Sequence, residues 1–406
     1  MDMENKKLIR LFTAGNVDDG KSTLIGRLLF DSGAISTDIL LGLSELKNSR
    51  TLHENFDLSY LTDGLRAERE QGITIDVAYK YFSTDTHKYI ISDTPGHLEY
   101  TRNMFTGASL CDIAIILIDV NTGITEQTKR HSKIAALLQV SKVIVAVNKM
   151  DLIHYNQDVF DKISSEYLTF AAEIGLVDVS LIPLSALNGE QVTFVTGKMP
   201  WYHGGTLFEQ ISNFSPIEKV IESSSFRLQV QHVLPSNDSD FYLGEVVSGS
   251  VAVGQKIQVG VAGKFVTVDQ IISNFNAIDQ ASAGMPITLK LKENCNVNRG
   301  SVFFSKVLPP SCSNKIKATL CWMSKNSGLV DQEYLLQLGS FKVIACIKKI
   351  NALHKVNEIE LNEIVDVEIQ TKEIIAFDNY LFSKELGSFI LIDLSNNATL
   401  AAGTIQ

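Results

Sequence analysis

The chain has 406 residues, 45% hydrophobic and 20% charged, with a formal net charge of −10 at pH 7. That length exceeds one compact core and implies two or three globular domains. The acidic balance gives no support for nonspecific nucleic-acid binding, and no apolar run nears the roughly 18 residues of a membrane span. The N-terminus lacks a secretory apolar segment, so a cytoplasmic protein with no membrane partner is expected. Five cysteines without a C-x-x-C pair read as reduced thiols, neither a disulfide framework nor a zinc site.

Leu8, Ile9, Leu11 and Phe12 form a short apolar run expected as a buried strand. Gly15-Asn16-Val17-Asp18-Asp19-Gly20-Lys21-Ser22 then reads G-x-x-x-x-G-K-S, and Leu24, Ile25, Leu28 and Leu29 follow at helical spacing. A glycine loop between strand and helix is the context in which backbone N–H groups cradle phosphate. A polar stretch runs from Ser32 to Gly72 and ends in Glu68-Arg69-Glu70-Gln71-Gly72. The cluster Arg66–Glu70 is equally a solvated helix face or a partner contact. Buried strands are expected at Lys88–Asp93, Asp112–Val120, Lys142–Asn148 and Val179–Ser185. Helices are expected at Thr125–Gln139, Asp158–Gly175 and Leu207–Ile211. This alternation predicts a mostly parallel α/β sheet over residues 1–212.

The texture then changes. Asn213–Ser225, with its Ser-Ser-Ser run, is the expected linker. From Phe226 the apolar period becomes two, broken by regularly placed glycines, which predicts a small antiparallel β-barrel over 226–307. Leu308-Pro309-Pro310-Ser311 marks a second break before another β-rich segment, 313–406. Gly260-Val261-Ala262-Gly263-Lys264-Phe265 imitates a phosphate loop, but its glycines are too close and no hydroxyl follows the lysine. It is expected as a hairpin turn.

The residues that carry chemistry lie in the first 212. Gly15, Asn16, Val17, Asp18, Asp19, Gly20, Lys21, Ser22 and Thr23 are the candidate phosphate-binding set. Lys21 would reach the outer phosphates, and Ser22 would offer its hydroxyl to Mg²⁺. Asp93-Thr94-Pro95-Gly96-His97 leaves a buried strand, so Asp93 is a candidate for the Mg²⁺ shell and Gly96 for an N–H to the γ-phosphate. Thr74, in Gly72-Ile73-Thr74-Ile75, would add a second hydroxyl to Mg²⁺ when the γ-phosphate draws its loop inward. His97 is the candidate to orient the attacking water. Asn148-Lys149-Met150-Asp151 ends another buried strand and selects the base. A carboxylate at Asp151 accepts from both N1–H and the N2 amine of guanine, whereas adenine leaves it unpaired at a cost of about 1–3 kcal/mol. Asn148 would hold neighbouring loops and reach N7, and the Lys149 stem would cover the ring. Ser185-Ala186-Leu187 fits a loop whose N–H meets guanine O6. The expected ligands are therefore GTP and Mg²⁺.

With these motifs in this order, the chain resembles the translational-type GTPases, elongation factor Tu among them. That resemblance implies a phosphate-loop α/β GTPase domain followed by two small antiparallel β-barrels. Asp19 and Ser22, where translation factors usually show His and Thr, narrow it. So do the stretch Thr62–Tyr79, Asp93–His97 continued by Tyr100-Thr101-Arg102-Asn103-Met104, Met199-Pro200-Trp201-Tyr202, and the terminal Ile390-Leu391-Ile392-Asp393 with Asn397-Ala398-Thr399. These are similar to the GTPase subunits of bacterial sulfate adenylyltransferase. The resemblance implies GTP hydrolysis that drives a separate adenylyltransferase (small, catalytic) subunit, which makes adenosine 5′-phosphosulfate from ATP and sulfate. It also implies a monovalent cation near Asp18. Leu98-Glu99 departs from the family pattern, and the two C-terminal domains are shorter. No second phosphate loop follows residue 22, so no fused kinase is expected. Two rivals fit the same nucleotide motifs: a translation factor delivering aminoacyl-tRNA, and a nucleotide-stabilised scaffold without turnover.

Overall fold

The apolar run before the glycine loop forms strand β1 (Lys7–Ala14), and the residues after the loop form helix α1 (Lys21–Asp31). The computed structural model describes residues 6–35, 58, 76–97, 101–215, 225–236, 239–261, 263–293, 295, 297–351 and 357–406. Thr74, Leu98 and Glu99 lie outside the described residues, as do most of the Ser32–Gly72 stretch and of Thr62–Tyr79. The chain divides into two units, Met1–Ile217 and Glu218–Gln406.

The first unit continues with β2 (Ala78–Ser83), β3 (His87–Asp93), α2 (Thr101–Ala108), β4 (Ile113–Asp119), α3 (Glu126–Leu137), β5 (Lys142–Asn148), α4 (Gln157–Glu173), β6 (Val179–Pro183) and α5 (Leu207–Ser212). The sheet order is β2-β3-β1-β4-β5-β6. Every neighbouring pair is parallel except β2 with β3. All seven residues of β4 are buried, as a parallel strand covered on both faces requires. On one face Ile9, Leu11, Ile113, Ile115 and Leu117 join a cluster with Leu24, Ile25 and Leu28 of α1 and Leu207 and Ile211 of α5. Phe12, Ala114, Ile116 and Ile118 alternate with them and are equally buried. Helix α2 meets β1 and β3, and α3 meets β4, without entering that first cluster. The antiparallel edge strand β2 and helix α2 are absent from the sequence expectation. In β2 only Phe82 is buried, while Tyr79 and Tyr81 are exposed, so its pattern gives little strand signal.

The register brings the functional ends of the strands together. Thr13 lies beside Asp93 on one side and Ile115 on the other, and Asp119 lies beside Asn148. Strand β1 sits between β3 and β4, so the chain order reverses beside it. Crevices at such switch points, outside the carboxyl ends of the strands, are where open α/β sheets bind ligands.

In the second unit, strands from Arg227 to Phe304 form a seven-stranded antiparallel sheet whose Lys256–Val259 strand also pairs with Lys264–Ser273. The hairpin joining those two turns at Gly260 and Gly263, both at φ 61°, and Val259 pairs with Lys264. The phosphate-loop look-alike is therefore a turn. Strands from Ser311 to Ile405 close a six-stranded barrel around Leu320, Trp322, Tyr334, Leu336 and Ile369. Among the described residues, no helix is long and apolar enough to cross a membrane.

Candidate nucleotide-binding site

The glycine loop owes its shape to its side chains. The Asp19 carboxylate accepts from the Asn16 N–H, and Asn16 Oδ1 accepts from the Val17 N–H at 3.0 Å. Asp18 and Gly20 both take positive φ, 68° and 92°. Gly20 has a second reason to be glycine, since a Cβ there would lie 2.4 Å from Asn148 Nδ2. It is also the cap of α1, and no side chain caps that helix end. The first-turn N–H groups of α1 therefore face the loop with the positive end of the helix dipole.

Lys21 is buried, and its Nζ donates to the carbonyls of Gly15 at 3.0 Å and Asn16 at 2.8 Å. Burial pushes its pKa below the ordinary lysine value, and Asp93, then Asp19 and Asp18, pull it back up. Burial likewise pushes the Asp19 carboxyl up, opposed by the Asn16 N–H and the Lys21 charge. An ammonium held this way, at a cost in solvation, is suited to meet a polyphosphate.

The turn after β3 closes on this loop. A Cβ on Gly96 would lie 2.5 Å from both the Gly15 carbonyl and Lys21 Nζ, so only glycine fits. Thr94 Oγ1 donates to the Thr13 carbonyl at 2.6 Å, and Asp93 Oδ1 accepts from Thr13 Oγ1 at 3.4 Å. Asp93 is buried, Ser22 is half-buried, and His97 is exposed. Among the described residues no three His, Cys, Asp or Glu side chains gather as metal ligands. Ser22 and Asp93 offer a hydroxyl and a carboxylate, oxygen donors of the kind that a hard cation such as Mg²⁺ takes.

On the base side, Asn148 is 2% exposed and bonds in two directions. Its Nδ2 donates to the Asp19 carbonyl at 2.8 Å, and its Oδ1 accepts from the Ala186 N–H at 3.0 Å. Asn148 thereby joins the glycine loop to Ser185-Ala186-Leu187. Lys149 takes a positive φ of 65° and its Nζ pairs with Asp119 Oδ2 at 2.8 Å. Met150 begins a short 3₁₀ turn, Met150–Ile153, and its N–H donates to Leu184 at 3.2 Å. The Asp151 carboxylate is half-buried and takes no hydrogen bond or ion pair from the described residues. Ser185 Oγ accepts from the Asn188 N–H at 3.3 Å, and Leu187 is exposed.

Four contributors escape the sequence reading. Asp119 orients Lys149. Arg27 of α1 donates to the carbonyls of Ala186 at 3.4 Å and Leu187 at 2.6 Å. Gln127 Nε2 donates to the Gly96 carbonyl at 3.1 Å and lies 2.9 Å from His131 Nε2, while its Oε1 accepts from Arg130. Burial, then the Lys21 and Arg130 charges, push the His131 pKa down to about 3, so that ring is neutral. Only Asp119 left a sequence signal, as an acidic residue closing an apolar strand. Arg27, Gln127 and His131 lie on helices, where a polar residue is indistinguishable from a solvated one by pattern alone.

Comparisons with known proteins identify the family. Residues 6–229 match the family described as Elongation factor Tu GTP binding domain, and residues 315–406 match the GTP-eEF1A C-terminal domain-like family. Across 99% of its length the chain is 43% identical to "Sulfate adenylyltransferase subunit 1" of Psychromonas ingrahamii, covering 88% of that protein. It is 42% identical to the protein of the same name from Aliarcobacter butzleri, again with 99% and 88% covered. For that from Francisella tularensis subsp. novicida the identity is 41%, with 99% and 87% covered.

Proposed function

Since the chain belongs to the sulfate adenylyltransferase subunit 1 family and carries an elongation-factor-Tu-type GTP-binding domain, we propose that it is the cytoplasmic GTP-hydrolysing subunit of that enzyme. Residues 1–212 would be the GTPase domain, and 226–307 and 313–406 its two barrels. The observation that carries the reading is the pair of Asn148 bonds, which ties phosphate loop and base loop into one site with the Asp151 carboxylate unpaired among the described residues.

The residues divide the work. Gly15 to Thr23 wrap the phosphates with backbone N–H groups, and Lys21 supplies a desolvated positive charge to the outer ones. Ser22, Asp93 and Thr74 would hold Mg²⁺, which would neutralise negative charge on the outer phosphates. Asp18 contributes to a monovalent-cation site beside them. Thr94 and Pro95 shape the turn that brings Gly96 to the γ-phosphate, and His97 orients water. Lys149 covers the ring of the base, Met150 anchors the turn, and Asp151 reads guanine. Ser185, Ala186 and Leu187 meet O6.

The partner is an adenylyltransferase subunit that forms adenosine 5′-phosphosulfate from ATP and sulfate. That reaction runs uphill, because the phosphosulfate anhydride formed is less stable than the phosphate anhydride broken. GTP hydrolysis by this chain supplies the missing drive. The γ-phosphate holds Thr74 and Gly96, and its loss releases both, so a partner touching those loops in one state feels a differential binding energy. Hydrolysis is expected to be slow alone and faster with the partner, ATP and sulfate. The test mixes both subunits and follows phosphosulfate with and without GTP, using Thr74→Ala as a variant that loses the gain but keeps GDP binding. Equal yields in a verified complex would overturn the coupling.

A further inference from the structure

Directly after Asp151 the backbone takes an uncommon course. His154 and Tyr155 both have positive φ, 53° and 58°, a conformation disfavoured for residues with a Cβ. Contacts from a distant segment hold it there. The Tyr155 hydroxyl donates to Glu190 Oε2, and Lys198 Nζ donates to Glu190 Oε1 and, at 3.3 Å, to the Tyr155 oxygen. The Lys198 ammonium lies 5.2 Å from the centroid of the Tyr155 ring, and Trp201 Nε1 donates to the Tyr155 carbonyl at 3.2 Å. The Tyr155 N–H closes back on the Met150 carbonyl at 2.9 Å.

Glu190 is the hinge of this arrangement. It is 2% exposed, so its carboxylate depends on both partners, and removing either leaves a buried charge under-compensated. Its backbone carbonyl accepts from the Ser185 N–H at 3.1 Å. One residue is therefore tied by its side chain to the segment following Asp151 and by its backbone to the first residue of Ser185–Leu187.

We propose that Tyr155, Glu190 and Lys198 form a clasp that sets the distance between the Asp151 carboxylate and the Ser185–Leu187 loop, and so sets selectivity for guanine over bases lacking the N2 amine. The three act as positioning residues. The proposal rests on the reading of Asp151 as the guanine acceptor. A carboxylate meets N1–H and N2–H together only if its position is held closely, whereas a displaced carboxylate keeps one donor and loses the other.

The test measures GDP, inosine diphosphate and ADP affinities of the full chain by calorimetry. Wild type is expected to prefer GDP over inosine diphosphate, and both over ADP. Tyr155→Phe, which removes one hydroxyl, should weaken GDP about tenfold but inosine diphosphate only about threefold, narrowing the ratio. Lys198→Ala should narrow it in the same way, and Lys198→Arg, which keeps the cation, should restore it. General loosening would weaken both inosine diphosphate and GDP equally. An unchanged ratio in folded Tyr155→Phe or Lys198→Ala overturns the clasp. If Tyr155→Phe does not fold, the half-exposed Lys198 pair carries the test alone. A wild type that binds ADP as well as GDP removes the Asp151 reading itself, a result separate from failure of the clasp.

Discussion

Asn148 spans the site, donating from Nδ2 to the Asp19 carbonyl at 2.8 Å while a Cβ on the adjacent Gly20 would come within 2.4 Å of the same nitrogen. Bond and glycine are thus one device. The side-chain amide occupies the space that the missing Cβ leaves, and it locks the phosphate loop to the base loop. Asn148→Ala strands a buried carbonyl at Asp19 and a buried N–H at Ala186, each costing about 1–3 kcal/mol. GDP affinity should fall by about two orders of magnitude. Gly20→Ala should do comparable damage by displacing the amide and straining a φ of 92°. Calorimetric titration with GDP checks both, and wild-type affinity in Asn148→Ala would refute the bridging role.

On the proposed reading, base selectivity rests on Asp151. Asp151→Asn replaces an acceptor with an amide that donates, so GDP should weaken and xanthosine diphosphate, whose O2 accepts, should improve. The carboxylate has no competing partner among the described residues, so little else changes with it. Unchanged GDP affinity in this variant would contradict the assignment.

The roles proposed for Lys21 and His97 separate binding from chemistry. Lys21→Ala removes a buried cation already bonded within the loop, and GTP affinity should drop steeply. His97 is exposed at the end of its turn, and His97→Ala should keep GTP affinity within a few fold. Its single-turnover hydrolysis should slow by about 10²-fold or more, as for a group acting mainly in the transition state. Hydrolysis at the wild-type rate would remove His97 from the mechanism.

His131 gives a pH dependence with a definite sign. Its folded pKa is about 3 against an ordinary 6.5, chiefly from burial. Between those values the unfolded chain binds a proton that the folded chain does not, so stability is full above pH 6.5 and is lost as pH falls toward 3. At pH 5 the loss from this residue is about 2 kcal/mol. Denaturant titrations at pH 5, 6 and 7 should show a shallower pH slope for His131→Gln than for wild type. Equal slopes would mean that the ring is protonated in place.

The sequence by itself determined the nucleotide motifs, because each is a short contiguous string whose chemistry depends on local backbone. Gly15–Ser22, Asp93–His97 and Asn148–Asp151 lie where an apolar strand ends, and spacing alone puts them at the carboxyl edge of a parallel sheet. In the first unit, the ends of the expected strands and helices agree with the structure to within two residues for the same reason, since a continuous apolar run and the 3.6 period of a helix are local properties. The tertiary structure alone decided what braces those strings. The reach of Arg27 to Ala186 and Leu187 and the Gln127 bond to Gly96 join segments 31–160 residues apart in sequence. The Glu190 contact with Tyr155, 35 residues away, is of this kind too. A polar side chain on a helix or loop carries no mark of its partner. Only folding, by removing water and bringing a carbonyl or carboxylate within hydrogen-bond reach, assigns it one.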